Sequence, residues 1–329
     1  MKEIIAVTGA AGFIGSNLVK MLLAQGYHVV AIDNLSAGTL ANVPEGADFR
    51  QVDIRDKGLR EHLRGASTVF HLAAKNCLAD CAKAPTLTAN INVMGTAHLL
   101  EECVREGIPH VVYADTSAEY EGVLEFPSTV DKVKPISVYA CSKRGGALFC
   151  EAFTNLHPIK VTYVRYFNVY GPAQDWRRVI PPVMSAFTIK LLQGERPVIY
   201  GSGEKRRDFI HVDDINAFHL KLLTEPEIWG RTYNLGSGTD HSILEIFRIV
   251  QKELGIAIEP EFKADLPAEA LRTLADISDA KQVGWVPKVS LEAGVRLFID
   301  YTRERLALEP PTELSPVVQT TPESPLLNH

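Results

Sequence analysis

The chain has 329 residues, of which 46% are hydrophobic and 22% are charged, so it can bury a large core. Its formal net charge of -6 argues against nucleic acid or an anionic membrane as a partner, and a phosphate-bearing ligand would need local binding groups. The sequence shows no leader-peptide pattern and no apolar run long enough to span a bilayer, which predicts a cytoplasmic protein with no membrane partner. The five cysteines are odd in number and lack a usual zinc spacing, which predicts reduced thiols and no bound metal.

The first 170 residues alternate short apolar runs with helix-like stretches. The predicted strands are 4–8, 28–33, 49–52, 68–71, 110–114 and 161–166. The predicted helices are 15–25, 59–63, 91–105 and 138–155. Apolar strands separated by helices indicate a parallel sheet that is covered on both faces, and right-handed crossovers make such a sheet doubly wound. The predicted fold class is α/β, a doubly wound parallel Rossmann sheet with a smaller C-terminal α/β domain for substrate.

After residue 171, prolines and turn residues loosen this pattern. Further elements are predicted as a helix at 183–192, a strand at 233–235 that returns to the main sheet, and helices at 242–254 and 291–305. We expect a Rossmann domain over 1–170 with a returning segment near 206–236, and a substrate domain over 171–305. The last residues, 310–329, carry Pro, Ser and Thr without periodicity, which predicts a disordered tail.

A glycine-rich turn follows the first predicted strand and opens the first predicted helix. Gly9, Gly12 and Gly15 have the spacing GxxGxxG, which differs from the commonest dinucleotide fingerprint, GxGxxG. The glycines permit a tight turn whose backbone N–H groups approach a pyrophosphate, and the positive end of the helix faces the anion. The strand–turn–helix context therefore predicts a dinucleotide site, whereas three glycines alone would indicate only a tight connection.

An acidic residue, Asp33, ends the second predicted strand. A carboxylate at that place can accept hydrogen bonds from both hydroxyls of the adenine ribose and would repel a 2′-phosphate, which favours NAD over NADP. The alternative is that Asp33 only starts the turn with Asn34 and Leu35. Asp53, just past the third predicted strand, is a weaker candidate for a contact near the adenine.

A tyrosine and a lysine four residues apart, Tyr139 and Lys143, lie in the predicted helix 138–155. Residues four apart share one helix face, so both side chains can point into one cleft. A nearby ammonium stabilises phenolate, so we expect a lowered tyrosine pKa and a base that works near neutral pH, helped by a positively charged nicotinamide ring. A YxxxK pair alone is common on helix surfaces, but downstream of a nucleotide turn it indicates catalysis.

Taken together, these motifs resemble an extended short-chain dehydrogenase/reductase, specifically the NAD-dependent nucleotide-sugar epimerase/dehydratase group. The resemblance covers about residues 1–300. It rests on TGAAGFIG at 8–15, HLAA at 71–74, NVMGT at 92–96, YACSK at 139–143, RYFNVYGP at 165–172 and RDFIHVDD at 207–214.

The resemblance implies a bound NAD and a UDP-sugar substrate, with residues 171–305 as the nucleotide-sugar domain. The predicted cofactor contacts are Gly9, Gly12, Phe13, Ile14, Gly15, Asp33, Asn34, Asp53, Ile54, Leu72, Ala73, Ala74, Asn92, Tyr139, Lys143 and Tyr166. On the substrate side it implies that Asn168 and Arg207 contact the nucleotide diphosphate. Thr273 occupies the gatekeeper position of the sugar pocket, where a small residue leaves room for an N-acetyl group. Lys263 and Arg272 are candidates for the family's basic residue in that region.

The segment 115–122 has one residue more than the family usually has between strand and glycine, so two registers follow. Counted from the strand, Thr116 is the catalytic hydroxyl and Ala118 occupies the acid position. Counted back from Gly122, Ser117 is the hydroxyl and Glu119 occupies the acid position. The first register suits an epimerase, and the second is compatible with a dehydratase or decarboxylase.

The reaction implied by the resemblance is epimerisation at C4 of a UDP-hexose or UDP-N-acetylhexosamine through a transient 4-keto sugar, with Tyr139 as base. Segments 165–172 and 201–214 look most like the 4-epimerases with those substrates. The alternatives are a UDP-sugar dehydratase, or a UDP-glucuronate decarboxylase or 4-epimerase, in which Glu119 takes part, and a non-catalytic NAD-binding regulator. The family generally pairs through the YxxxK helix, so we expect a homodimer in which helices 91–105 and 138–155 bury apolar faces.

Overall fold

The computed structural model describes residues 3–175, 181–265 and 270–308. Its first part alternates strands and helices. The strands are β1 (Ile4–Thr8), β2 (His28–Asp33), β3 (Asp48–Gln51), β4 (Ala66–His71), β5 (His110–Thr116) and β6 (Lys160–Tyr166). The helices are α1 (Phe13–Ala24), α2 (Leu59–Leu63), α3 (Leu78–Lys83), α4 (Pro85–Ala89), α5 (Gly95–Glu106) and α6 (Val138–Leu156).

The later part has shorter strands. They are β7 (Val169–Tyr170), β8 (Val198–Tyr200), β9 (Arg206–Asp208), β10 (Ile210–His211), β11 (Thr232–Leu235), β12 (Asp240–Ser242) and β13 (Glu261–Lys263). The helices of this part are α7 (Val183–Leu192), α8 (Val212–Thr224), α9 (Ile243–Leu254), α10 (Ser278–Gln282) and α11 (Leu291–Leu308).

Within the described residues, seven parallel strands form the main sheet in the order β11-β6-β5-β4-β1-β2-β3. The order reverses between β1 and β4, which is the switch point at which doubly wound sheets open a ligand crevice. The predicted strand at 233–235 does return to this sheet, since β11 pairs with β6. The predicted Rossmann fold is therefore confirmed.

Apolar side chains cover both faces of the sheet. One core cluster joins α1 and α8 to the sheet, and a second joins α2, α5 and α6 to the opposite face. Strands buried on both faces explain the nearly continuous apolar runs in the sequence. A third cluster lies among α7, α9 and α11, away from the main sheet.

The predicted helix 91–105 differs in detail from the structure. Residues Asn90–Met94 form a π-helical turn that runs into α5, and the short helices α3 and α4 precede it. Tertiary contacts explain the π-helical turn. The side-chain amide of Asn92 forms hydrogen bonds with the backbone of Lys75 and the hydroxyl of Ser142, both outside this turn. The predicted tail 310–329 lies outside the described residues.

None of the described helices is long and apolar enough to cross a membrane. All five cysteines are free thiols, and three of them are buried.

Candidate active site

The candidate site lies at the carboxyl ends of the parallel strands. Thr8, Asp33 and His71 end β1, β2 and β4, and Thr116 and Tyr166 end the neighbouring strands β5 and β6. Because parallel strands end at one edge of the sheet, residues far apart in sequence meet there. The predicted cofactor and catalytic residues therefore share one crevice.

The glycine turn is shaped for close approach of a ligand. Gly9 has a φ of +72°, and a Cβ there would lie 2.8 Å from the backbone N of Ala73. A Cβ on Gly15 would lie 2.1 Å from the carbonyl oxygen of Gly9. Helix α1 begins after Gly12 without a side-chain cap, so its first-turn N–H groups can bind an anion. Only glycine fits at Gly9 and Gly15, and this cradle suits the pyrophosphate of a dinucleotide.

Asp33 binds the glycine turn and the turn that follows β2. Its Oδ2 accepts a hydrogen bond from the Ala11 N–H at 3.0 Å, and its Oδ1 accepts one from the Leu35 N–H at 2.7 Å. Each oxygen keeps a lone pair for another donor. The turn-forming role and the proposed ribose role of Asp33 are therefore compatible.

Two of the predicted adenine-side residues are already engaged by protein groups. Asp53 accepts hydrogen bonds from Asn34 at 2.7 Å and from Arg55, and the Arg55 hydrogen bond is the main cause that lowers the pKa of Asp53 to about 2. The Ile54 side chain is buried against Gly95 in the core. Asn34 and Asp53 thus form a polar edge, whereas the side chain of Ile54 packs inward.

The predicted residues 72–74 and Asn92 line the other side of the crevice. The Ala73 N–H donates to the Thr8 hydroxyl at 3.2 Å, which holds this segment against the glycine turn. The Asn92 amide donates to the Lys75 carbonyl and the Ser142 hydroxyl and accepts from the Lys75 N–H. Asn92 therefore anchors the loop after β4 rather than presenting a free amide.

The tyrosine and lysine of YACSK lie together near the first turn of α6. Ser137 caps this helix through a hydrogen bond from the Ala140 N–H at 3.1 Å. Tyr139 is half-buried, and the side chain of Thr116 lies close enough to its hydroxyl to favour the phenolate and so to lower its pKa. The buried Lys143 places its Nζ 3.9 Å from the ring centroid of Tyr113, whose hydroxyl donates to the Lys143 carbonyl. The aromatic face stabilises the ammonium where water cannot.

The expected low pKa of Tyr139 is not found in the protein alone. Burial raises the pKa of Tyr139 to about 12, and the hydrogen bond from Thr116 opposes this only in part. Burial also lowers the pKa of Lys143 to about 8, although the Asp115 carboxylate works in the other direction. In the protein alone, desolvation of the phenolate thus outweighs the groups that favour it. The lowering of the Tyr139 pKa by Lys143 together with a positively charged nicotinamide ring stays a prediction.

In the segment 115–122, the two candidate registers have different surroundings. Thr116, at the end of β5, meets Tyr139. Ser117 is half-buried and begins a 3₁₀ turn that ends at Tyr120. Glu119 is fully buried, and its carboxylate lies 3.0 Å from the Arg165 guanidinium. The structure therefore places Thr116 beside Tyr139, whereas the side chain of Glu119 points into the protein interior.

On the substrate side, Asn168 and Thr273 are brought together. The Asn168 Nδ2 donates to the Thr273 hydroxyl and to the Asp208 carbonyl, both at 2.9 Å. Arg207 lies one residue before Asp208, and its Nη1 donates to the Arg206 carbonyl at 2.9 Å. Asn168 and Thr273 thus share one corner of the crevice, and Arg207 precedes in the chain the Asp208 carbonyl that Asn168 contacts.

Arg272 belongs to a different set of contacts. It pairs with the Asp240 carboxylate, which Arg206 also contacts, and its guanidinium lies 5.4 Å from the ring centroid of Phe126. The other basic candidate, Lys263, is exposed and lies 3.7 Å from Glu261. Arg272 is therefore held at the rim of the site by side chains of the protein.

Sequence reasoning missed the roles of Tyr113, Arg165 and Glu121. The Glu121 carboxylate accepts hydrogen bonds from the N–H and hydroxyl of Ser137 at 2.8 and 3.0 Å, and so ties the longer segment 115–122 to the start of α6. These partners lie 16 or more residues apart in the chain. No local pattern could have paired them.

The sequence profile of the NAD dependent epimerase/dehydratase family matches residues 5–236. Together with the glycine cradle, Asp33 and the Tyr139–Lys143 pair, this match defines the class: the chain belongs to the NAD-dependent epimerase/dehydratase family, whose members are enzymes of nucleotide-sugar chemistry. The predicted family and the predicted NAD cofactor are thereby confirmed.

Within that family the chain is similar to several 4-epimerases and to a dehydratase. It is 33% identical to the UDP-glucose 4-epimerase of Mycolicibacterium smegmatis, over 91% of this chain and 98% of that one. It superposes with a TM-score of 0.88 on the UDP-glucose 4-epimerase of Thermotoga maritima solved with UDP-glucose, at 34% identity and over 92% and 99% of the two chains. DesIV of Streptomyces venezuelae, a dTDP-glucose 4,6-dehydratase solved with NAD, gives 0.84 at 30% identity over 93% and 98%.

Proposed function

We propose that this enzyme epimerises a UDP-hexose or a UDP-N-acetylhexosamine at C4 through a transient 4-keto sugar. The observation that carries the proposal is the contact between Tyr139 and Thr116. In the same segment, the acid that a dehydratase or decarboxylase would need, Glu119, is buried against Arg165. The neighbour of Tyr139 in this segment is therefore the hydroxyl of Thr116 and not the carboxyl group of Glu119.

Tyr139 acts as the base that takes the proton of the C4 hydroxyl and later returns it. Bound NAD would supply the hydride acceptor and donor for C4 and a positively charged ring that favours the phenolate. The hydrogen bond from Thr116 already favours the phenolate against the cost of burial. Lys143 holds its charge in place over the Tyr113 ring and adds to the positive field on the base.

The glycine turn and Asp33 hold the cofactor. The first-turn N–H groups of α1 would bind the pyrophosphate. The carboxylate of Asp33 would accept hydrogen bonds from the ribose hydroxyls while its other lone pairs hold the turn. Asn34 and Asp53 lie at the adenine edge. This arrangement excludes a 2′-phosphate by charge, in keeping with NAD.

The substrate diphosphate binds near Asn168 and Arg207, and the sugar lies toward Thr273. Thr273 is small, and its hydroxyl accepts a hydrogen bond from Asn168. It therefore leaves room beside the sugar for an N-acetyl group. UDP-N-acetylhexosamine is therefore a substrate candidate beside UDP-hexose. Arg272 supplies positive charge at the rim.

We propose a cytoplasmic homodimer that pairs through the faces of α5 and α6. Phe149 and Leu148 on α6 are 41% and 50% exposed, and Met94, just before α5, is 58% exposed. Large apolar side chains gathered on two neighbouring helices are typical of a surface that another subunit covers. The acidic chain does not favour nucleic acid.

The test is to incubate the purified enzyme with UDP-glucose, UDP-galactose, their N-acetyl analogues and UDP-glucuronate, and to identify the products by NMR. The proposal expects interconversion of C4 epimers without net formation of NADH. Release of CO2, or a 4-keto-6-deoxy or unsaturated product, would show a decarboxylase or a dehydratase instead. If the protein binds NAD but converts none of these sugars, the result would favour the alternative of a non-catalytic NAD-binding regulator.

A further inference from the structure

Next to the catalytic hydroxyl, two carboxylates lie buried together. Asp115 precedes Thr116, the last residue of β5, and Glu119 lies in the turn just after it. Asp115 and Glu119 form a carboxyl pair. Both are at most 3% exposed. Arg165 on β6, also 3% exposed, lies 2.8 Å from Asp115 and 3.0 Å from Glu119.

Of the cations around this cluster, Arg165 is the one that the described residues place within ion-pair distance of the two acids, and one guanidinium does not balance two ionised carboxylates. Within the described residues, no donor reaches Asp115 Oδ1 or either carboxylate oxygen of Glu119 with hydrogen-bond geometry, so the contact of Glu119 with Arg165 is an ion pair only. The two acids nevertheless lie side by side, because both contact the same Arg165 guanidinium, Asp115 at Nε and Glu119 at Nη2. Two buried carboxylates in contact need a proton between them, because like charges at that distance cannot both be kept out of water.

The cluster is joined to the turn that carries Thr116. The Glu119 carbonyl accepts a hydrogen bond from the Lys134 N–H at 2.7 Å, and the Thr116 hydroxyl accepts one from the Ala118 N–H at 3.1 Å. Arg165 also donates to the Tyr120 hydroxyl and to the Val130 carbonyl, both at 2.8 Å. The carboxyl pair is thus anchored in the scaffold on both sides of Thr116.

We propose that Glu119 is a positioning residue, which carries the proton shared with Asp115 and thereby holds the turn that presents Thr116 to Tyr139. Glu119 in this role donates to Asp115 and accepts from Arg165, and it never touches the sugar. The extra residue of the segment thereby serves the scaffold rather than an acid–base step. The inference does not depend on which nucleotide sugar is the substrate.

The electrostatic surroundings agree with a protonated Glu119. Burial first, and then the Asp115 carboxylate, raise the pKa of Glu119 to about 8, although the two nearest guanidinium groups oppose this. The titratable groups around Glu119 are Asp115 and Tyr113 on β5, Tyr120 in the same turn, Arg165 on β6, and Lys143 and Arg144 on α6. A carboxyl whose folded pKa lies above its ordinary value stabilises the fold at low pH. That stability is lost as the pH rises from the ordinary value toward 8.

The experiment compares Glu119→Gln and Glu119→Ala with the unchanged enzyme. Glutamine reproduces a protonated glutamate, since its amide donates to Asp115 and accepts from Arg165. We expect E119Q to keep its turnover within about twofold and to melt near the wild-type temperature at pH 5.5. At pH 8 it should melt higher than the wild type, because it cannot ionise. The melting curves need no substrate.

E119A tests the positioning role. It removes the donor to Asp115 and leaves a cavity beside the turn, so we expect kcat to fall about tenfold with little change in KM. The acid limb of the pH profile of kcat/KM should move to higher pH, since Thr116 no longer supports the phenolate. The matched control is Glu102→Gln, because Glu102 is another buried glutamate and forms an ion pair with Arg105 on α5. The melting temperature of E102Q should change with pH as that of the wild type does.

Two results would overturn the proposal. Loss of turnover in E119Q at every pH, with NAD still bound and the fold intact, would make Glu119 an acid–base group that acts on substrate. A melting temperature of E119Q below the wild type at both pH values would make Glu119 an ionised partner of Arg165. If E119A does not fold, the two E119Q measurements still decide the matter.

Discussion

The glycine turn and the segment 115–122 lie at the same edge of the sheet but are built in different ways. In the turn, the glycine spacing within one short stretch determines the close approach of Gly15 to Gly9, and Asp33 and Ala73 hold that turn from neighbouring strands. In the second segment, each key side chain depends on a distant partner, as Thr116 does on Tyr139 and Glu119 on Arg165. A motif therefore indicates the first site clearly, whereas the second is ambiguous until the chain is folded.

The largest effect is expected at the residue that both regions serve. Tyr139→Phe removes the base but keeps the ring, so kcat should fall by about 10³-fold or more while NAD still binds. Turnover of the preferred UDP-sugar and a fluorescence titration of the cofactor measure the two effects. A variant that kept most of its activity would show that another group takes the proton.

A glycine substitution tests whether the turn is as local as described. Gly15→Ala places a Cβ 2.1 Å from the Gly9 carbonyl oxygen, so the turn must open, at a cost of about 1–3 kcal/mol in stability and a loss of NAD affinity of about tenfold or more. Gly58→Ala is the control, because a Cβ there meets nothing within 4 Å. Calorimetric titration with NAD measures the difference. Equal affinities for both variants would contradict the close-approach argument.

The two registers of the second segment are separated by a pair of hydroxyl variants. Thr116→Ala removes the hydrogen bond that favours the Tyr139 phenolate, so kcat/KM at neutral pH should fall about 10–100-fold and its acid limb should move to higher pH. Thr116→Ser should restore most of the activity, and Ser117→Ala should change it little. If S117A is the damaging change, the register counted from the glycine is the functional one.

The smallest effect is expected on the substrate side. Thr273→Ala removes the hydroxyl that accepts from Asn168, and one hydrogen bond of about 1 kcal/mol corresponds to a rise in KM of about fivefold with kcat nearly unchanged. Thr273→Ser should keep the wild-type KM. Steady-state kinetics at saturating NAD give both constants, and a large loss of kcat in T273A would place Thr273 closer to the reacting atoms than described.

Much of the fold could be predicted because hydrophobic periodicity is local information. The strands 4–8, 28–33 and 233–235 and the helix 183–192 were placed to within a residue, since each is a short run with its own boundaries. The short helices α3 and α4 were missed, because they have few residues and follow tertiary contacts more than propensity. The π-helical turn before α5 was missed for the same reason, because contacts with distant residues determine it.

By itself, the sequence determined the sheet and the NAD cofactor of the family, because hydrophobic periodicity and the glycine motif depend on spacing along short stretches. It predicts the role of Asp33 in choosing NAD and the joint action of Tyr139 and Lys143. Only the tertiary structure decided that Thr116 meets Tyr139, that Glu119 turns away onto Arg165, and that burial raises the pKa of Tyr139. The physical reason is that desolvation and charge pairing depend on what the folded chain packs around a group. Residues 50 positions away in sequence supply that environment, as Arg165 does for Asp115.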